Sequence, residues 1–160
     1  MKNISPHISY KEATKSWTAT KKGIENKPNA LQLLNMRHLA NHIFEPLRAA
    51  LGGLPIGIAS FFRAVLLNKI IGGSETSQHC EGEAVDLDAD IYNNGITNRM
   101  IFNFIKDNLD FDQLIWEFGT DEEPNWVHVS LKRNGNNRKQ ILVAYKHNGR
   151  TMYKLYNNAA

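Results

Sequence analysis

The spacing of hydrophobic and polar positions changes several times along the chain, and each change marks an element. After Pro28, apolar residues at Leu31, Leu34, Leu39, Ile43, Leu47 and Leu51 follow helical spacing until Gly52-Gly53 stops the pattern. That predicts the main helix, with a kink at Pro46. From Leu54 the period shortens: residues 55–60 read as a strand and residues 62–70 as a short helix ending at Gly72-Gly73. Residues 84–88 alternate like a half-buried strand, and residues 97–108 read as a helix with Ile101, Phe104 and Ile105 on one side. Strand signals follow at 112–117, 126–131 and 140–145, with a fourth at 151–155. Helices first and a mostly antiparallel sheet later is the α+β pattern, here in a single domain.

Residues 1–27 are polar, with apolar anchors at Ile8, Tyr10, Ala13, Trp17 and Ile24, and Ser9 followed by Glu12 resembles a capping box. They read as a segment wrapping a core formed by 28–160. At 160 residues with 42% hydrophobic positions, the chain matches one domain with a real core. The single cysteine, Cys80, excludes an internal disulfide and suits synthesis in a reducing compartment. No stretch is apolar enough to insert in a membrane, and the start lacks a signal-peptide core, so synthesis in the cytoplasm is expected. The net charge of +3 is spread along the chain. Without a recognised nucleic-acid motif, it reads as a solvated surface, and no nucleic-acid partner is expected. A monomer is expected.

Two of the six histidines sit where metal chemistry would place them. His79 and Asp86 are seven positions apart, which puts them two turns apart on a helix and on opposite faces of a straight strand. A turn must bring them together, and Gly82 supplies it because glycine adopts positive φ freely; Ala84 leaves room for close packing as the strand starts. In Trp126-Val127-His128-Val129-Ser130, alternation puts Trp126, His128 and Ser130 on one face and the valines on the core side. Two imidazoles and a carboxylate suit one zinc ion, and three protein ligands leave a position open for catalysis.

The segment from Asn68 through Gly72-Gly73, Ser77-Gln78-His79 and Gly82-Glu83-Ala84-Val85-Asp86 resembles the signature of the zinc D-alanyl-D-alanine carboxypeptidases. Trp126-Val127-His128 resembles that family's third-ligand motif, and Ser60-Phe61-Phe62-Arg63 stands where the family has Ser-Gly-Tyr-Arg. Ser16-x-x-Ala19 followed by Gly23-Ile24-x-Asn26-x-Pro28 resembles a lead-in of phage and bacterial members, so the likeness spans roughly residues 10–131. The resemblance implies the fold shared with phage L-alanyl-D-glutamate endopeptidases and Hedgehog signalling domains. It also implies zinc ligation by His79, Asp86 and His128, and substrate binding by Arg63. A guanidinium fork can clamp a terminal carboxylate or polarise a carbonyl.

Two positions depart from the family pattern. Phe61 replaces a glycine, and Asn125 stands three positions before His128, where many relatives carry the acidic general base. Glu117 is the candidate for that role, provided residues 112–117 and 126–131 form a hairpin pairing Glu117 with Trp126; a one-residue slip would point it away. Asp121, Glu122 and Glu123 are alternatives. Ser77, Ser130 and Trp126 are the further candidates for binding substrate. The resemblance thus implies hydrolysis of peptidoglycan stem peptides, by a D-Ala-D-Ala carboxypeptidase or an endolysin-type endopeptidase reaching the cell wall through a lysis partner. The alternative keeps the metal without catalysis, as a wall-binding or virion structural module.

Overall fold

The computed structural model describes residues 3–157. Six strands, β1 (Gly57–Ser60), β2 (Ala84–Asp88), β3 (Gln113–Glu117), β4 (Trp126–Ser130), β5 (Gln140–His147) and β6 (Arg150–Leu155), form one sheet in the order β1-β2-β4-β3-β5-β6. All neighbours are antiparallel except β3 and β5, which run parallel. With six α-helices among the described residues, the chain is a single α+β domain, as the order of elements predicts.

Alternation along the strands gives the sheet two faces of different character. Val85, Leu87, Leu114, Trp116, Val127 and Val129 point to one side and join the hydrophobic core. There they meet Ile101, Phe102 and Ile105 of helix α6 (Asn98–Asn108), together with the buried stripe of the main helix. Asp86, His128, Ile115 and Glu117 occupy the opposite face, which carries the polar site.

The main helix consists of α3 (Ala30–Leu39), a π turn at Ala40–Phe44 and α4 (Glu45–Ala50). Pro46 cannot donate a backbone hydrogen bond, and the helix absorbs it by widening one turn earlier, where Glu45 N bonds to Ala40 O. The expected proline kink is therefore realised as a π turn. Met36, Leu39, Ile43, Phe44 and Leu47 form the buried stripe, whereas Leu31 and Leu34 are exposed because they fall on the opposite side of the helix. Asn29 and Gln32 make a reciprocal capping box at the start of this helix.

The amino-terminal segment packs through Ile4, Ile8, Ala13 and Ala19 and carries two short helices, α1 (Tyr10–Ala13) and α2 (Trp17–Lys22). Ser9 caps α1 by accepting from Glu12 N. Trp17, expected as an anchor, is 72% exposed. The segment's main service to the site is Asn26, whose amide donates to Thr14 O and Phe62 O and accepts from Ala64 N. It thereby clamps the backbone on both sides of Arg63.

Asp112, wholly buried just before β3, holds the start of β5. Its carboxylate accepts from Arg138 N at 2.9 Å, Arg138 Nη2 at 2.5 Å and Arg138 Nε at 3.1 Å, while Gln140 N donates to its carbonyl. These bonds pull the carboxyl down to about 2 against the effect of burial. They set β5 and β6 alongside the polar face. Among the described residues no helix is long and apolar enough to cross a membrane.

Candidate metal centre

His79 sits in a single 3-10 turn, Gln78–Glu81, inside the polar segment that precedes β2. Gly82 ends this turn with φ +70°, and a side chain there would meet Gln32 O at 2.6 Å. The main helix pins the turn from below: Gln32 Nε2 donates to Cys80 O at 2.8 Å and Asn35 Nδ2 to Glu81 O at 3.0 Å. Asp86 follows on β2, directly opposite His128 on β4. The expected turn at Gly82 thus brings His79 to the same side as Asp86.

His79, Asp86 and His128 each offer a ligand atom within 4.8 Å of the others. Asp86 Oδ1 lies 3.2 Å from His79 Nε2 and 2.9 Å from His128 Nδ1. Zinc bonds of ~2.0–2.2 Å in a tetrahedral arrangement put neighbouring ligand atoms about 3.3–3.6 Å apart, close to these separations.

The hydrogen bonding points the same way. His79 Nδ1 is 2.6 Å from Phe61 O, and a carbonyl only accepts, so Nδ1 carries the proton. Nε2 is then left with a bare lone pair; it is buried and has no aligned hydrogen-bond partner. An orphaned imidazole nitrogen beside a carboxylate, its tautomer held by a backbone carbonyl, is the arrangement of a metal-ligating histidine. Burial pushes the His79 pKa down, keeping the ring in its neutral, ligating form. Burial alone would raise the Asp86 carboxyl, but the adjoining His79 and His128 outweigh it and hold the group well below the usual carboxylate range.

Arg63 donates from Nη2 to Asp86 Oδ2 at 2.7 Å and from Nε to Ser60 Oγ at 2.9 Å. It therefore orients the central carboxylate and also lines the cleft together with His79, Asp86 and His128, a cavity of about 430 Å³. Phe61, in the place of the family glycine, is buried and contributes the carbonyl that fixes His79. Cys80 is buried, and burial raises its thiol pKa, which suits a packing role rather than a reactive one.

Glu117 pairs with Trp126 across the β3–β4 hairpin and stands on the face of His128, one diagonal position away. The side chain is 8% exposed, and burial pushes its pKa up to about 7; His128 and Arg63 pull against this shift and Asp86 adds to it. Glu117 is not among the residues lining the cleft, of which Asp86 is the one acid. Asn125 is exposed, as are Asp121 and Glu122, and Glu123 accepts from Arg99 N at the start of α6.

Of the expected substrate-binding residues, Arg63 and Ser77 line the cleft and the other two do not. Ser130 is fully buried, and its hydroxyl accepts from Gln113 N at 3.1 Å. Trp126 packs against Phe118, the rings tilted by 57° with centroids 5.3 Å apart. Strand alternation places both with His128, but the neighbouring β3 strand and its loop occupy them. Sequence reasoning passed over Gln113, Arg138, Leu142, Thr151 and Tyr153, which also line the cleft. Alternation along β5 and β6 groups some of these, but only the parallel β3–β5 pairing reveals which face they share.

A search of curated proteins finds no match to the chain. A family model described as Peptidase M15 matches residues 6–130, a span containing His79, Asp86, His128, Arg63, Glu117 and Asn125 but neither β5 nor β6. With that match covering well over half of the chain, and with a fitting ligand set at its centre, this chain belongs to the peptidase M15 family of zinc D-Ala-D-Ala carboxypeptidase-type metallopeptidases.

Proposed function

We propose that this protein hydrolyses peptide bonds in the stem peptides of bacterial peptidoglycan, with one zinc ion held by His79, Asp86 and His128. The observation that carries this reading is the bare, buried Nε2 of His79 facing Asp86 and His128 below an open cleft. When bound there, zinc supplies a Lewis acid for the scissile carbonyl and brings the pKa of a water down to ~7.

The chain's own groups supply orientation and proton transfer. Arg63 steadies Asp86 and meets the carbonyl or carboxylate of the substrate from the cleft wall. Ser77 offers a hydroxyl to the peptide. Glu117 takes the proton of the attacking water and returns it to the leaving amine; a carboxyl pushed up to about 7 is matched to both tasks near neutral pH.

Mass spectrometry of a peptidoglycan digest, with and without chelator, tests the reading. Release of terminal D-alanine would mark a carboxypeptidase, and cleavage between L-alanine and D-glutamate an endolysin-type endopeptidase. An undigested wall in the presence of zinc would remove both. A second reading, a zinc-containing wall-binding module without turnover, is favoured by Asn125, an amide where relatives carry a base. It predicts retained wall affinity with no new amine ends.

A further inference from the structure

The row of residues that crosses the sheet through Glu117 continues past it. Glu117 is paired with Ala144 on β5, and Ala144 with Tyr153 on β6, so these three side chains share the polar face. The adjacent row runs from Asp86 through His128 and Ile115 to Leu142. Thr151 lies two positions before Tyr153 on β6, hence on the same face. Register alone therefore places Leu142, Thr151 and Tyr153 on the side of the metal ligands, and all three line the same cleft as His79, Asp86 and His128.

Two strand spacings of ~4.8 Å put the Tyr153 backbone about 10 Å from that of Glu117, within reach of a phenol leaning over the small side chain between them. Ala144 is only 1% exposed although it lies on this open face and outside the hydrophobic core. A methyl group so placed is covered by larger neighbours leaning across it. Tyr153 itself is 52% exposed, and β6 is exposed along its whole length, so the wall it forms opens directly to solvent. Arg63, just past β1, lines the cleft from the other end of the strand order. The cleft thus crosses the strands, with the metal ligands on β2 and β4 between an arginine at one end and a tyrosine at the other. Neither β5 nor β6 falls within the span matched by the family model.

We propose that Tyr153, assisted by Thr151 and Leu142, is a specificity-determining residue that binds the part of the stem peptide lying beyond the scissile bond on the side away from Arg63. The proposal rests on the peptidase reading above. The phenol ring packs on the aliphatic face of the peptide, and its hydroxyl and that of Thr151 bond to the peptide backbone. A substrate ending close to the scissile bond on that side gains nothing from this wall, whereas an extended one does.

The test compares Tyr153→Ala and Tyr153→Phe with the zinc-loaded parent on a full-length stem peptide and a shortened one. Lys154→Ala, on the opposite face of β6, serves as control. Zinc content verifies an intact centre in each protein. For Tyr153→Ala the expected result is a KM for the full-length peptide raised about tenfold with kcat within about twofold, the pattern of lost uniform binding. Tyr153→Phe should fall between it and the parent, the short peptide should be indifferent to both changes, and Lys154→Ala should match the parent. An unchanged KM in Tyr153→Ala, or an equal loss on both peptides, overturns the proposal.

Failure of the peptidase reading shows separately, as absence of turnover by the parent protein. Calorimetric titration of the full-length stem peptide into chelator-treated proteins then still decides the matter. A Kd about tenfold weaker in Tyr153→Ala supports the wall, and equal affinity or no binding by the parent overturns it.

Discussion

Arg63 and Asp86 are joined by a 2.7 Å hydrogen bond from Nη2 to Oδ2, while the other oxygen of Asp86 faces both imidazoles. The arginine therefore does for the carboxylate what the Phe61 carbonyl does for His79: it fixes the direction in which the ligand atom points. Partners of this kind hold a metal site in shape, and their loss commonly weakens metal binding by roughly 10–100-fold.

For Arg63→Ala the account accordingly predicts a double defect. Zinc affinity, measured by competition with a chromogenic chelator, should fall by about 10–100-fold. At saturating zinc the kcat/KM should remain lowered because the cleft has lost its cation. Arg63→Lys should recover part of the second defect and little of the first, since an ammonium cannot bridge Ser60 and Asp86 as a fork does.

Glu117→Gln should keep its zinc and lose turnover by about 100-fold or more, the usual worth of a positioned base. In the parent, kcat/KM should fall as pH drops below about 7, where the Glu117 carboxylate takes up its proton, and level off above that value. The same shift has a stability consequence. A carboxyl whose folded pKa of about 7 exceeds its unfolded value of ~4.3 favours the fold below pH ~4.3, and this contribution is lost as pH rises through 7. At pH 8 the metal-free Glu117→Gln protein should therefore be more stable than the parent by about 3–4 kcal/mol in urea unfolding.

Gly82→Ala should damage the centre without touching a ligand. The position has φ +70°, and an added methyl group would meet Gln32 O at 2.6 Å, a backbone atom of the main helix that cannot yield cheaply. A loss of about 1–3 kcal/mol in chemical unfolding is expected, with weakened zinc binding because the turn carrying His79 must shift. Gly23→Ala, also at positive φ but with open space around it, should leave zinc binding unchanged.

The parts of this molecule that could be read from sequence are those governed by local spacing. The Gly82 turn between His79 and Asp86 and the alternation that separates His128 from its flanking valines follow from a few consecutive residues, whereas the hairpin register that pairs Glu117 with Trp126 is open in the sequence and is set by the β3–β4 pairing. What escaped depends on neighbours distant in sequence. Ser130 has the right alternation for the site, yet the Gln113 amide claims its hydroxyl. Tyr153 and Thr151 reach the cleft only because β5 pairs in parallel with β3 rather than with the strand preceding it. Trp17 was expected inside from its hydrophobicity, but α2 turns Ala19 inward instead. The π turn before Pro46 is a tertiary solution, since keeping the helix running lets Met36 and Leu47 share one core.

The most direct test of the central claim is a metal titration of chelator-treated protein, following bound zinc and release of new amine ends from peptidoglycan together. The account predicts that both saturate at one zinc ion per chain, and that His79→Ala, Asp86→Ala and His128→Ala each abolish both responses. Undiminished cleavage by the chelator-treated protein, or stoichiometric zinc retained in any one of these variants, would contradict it.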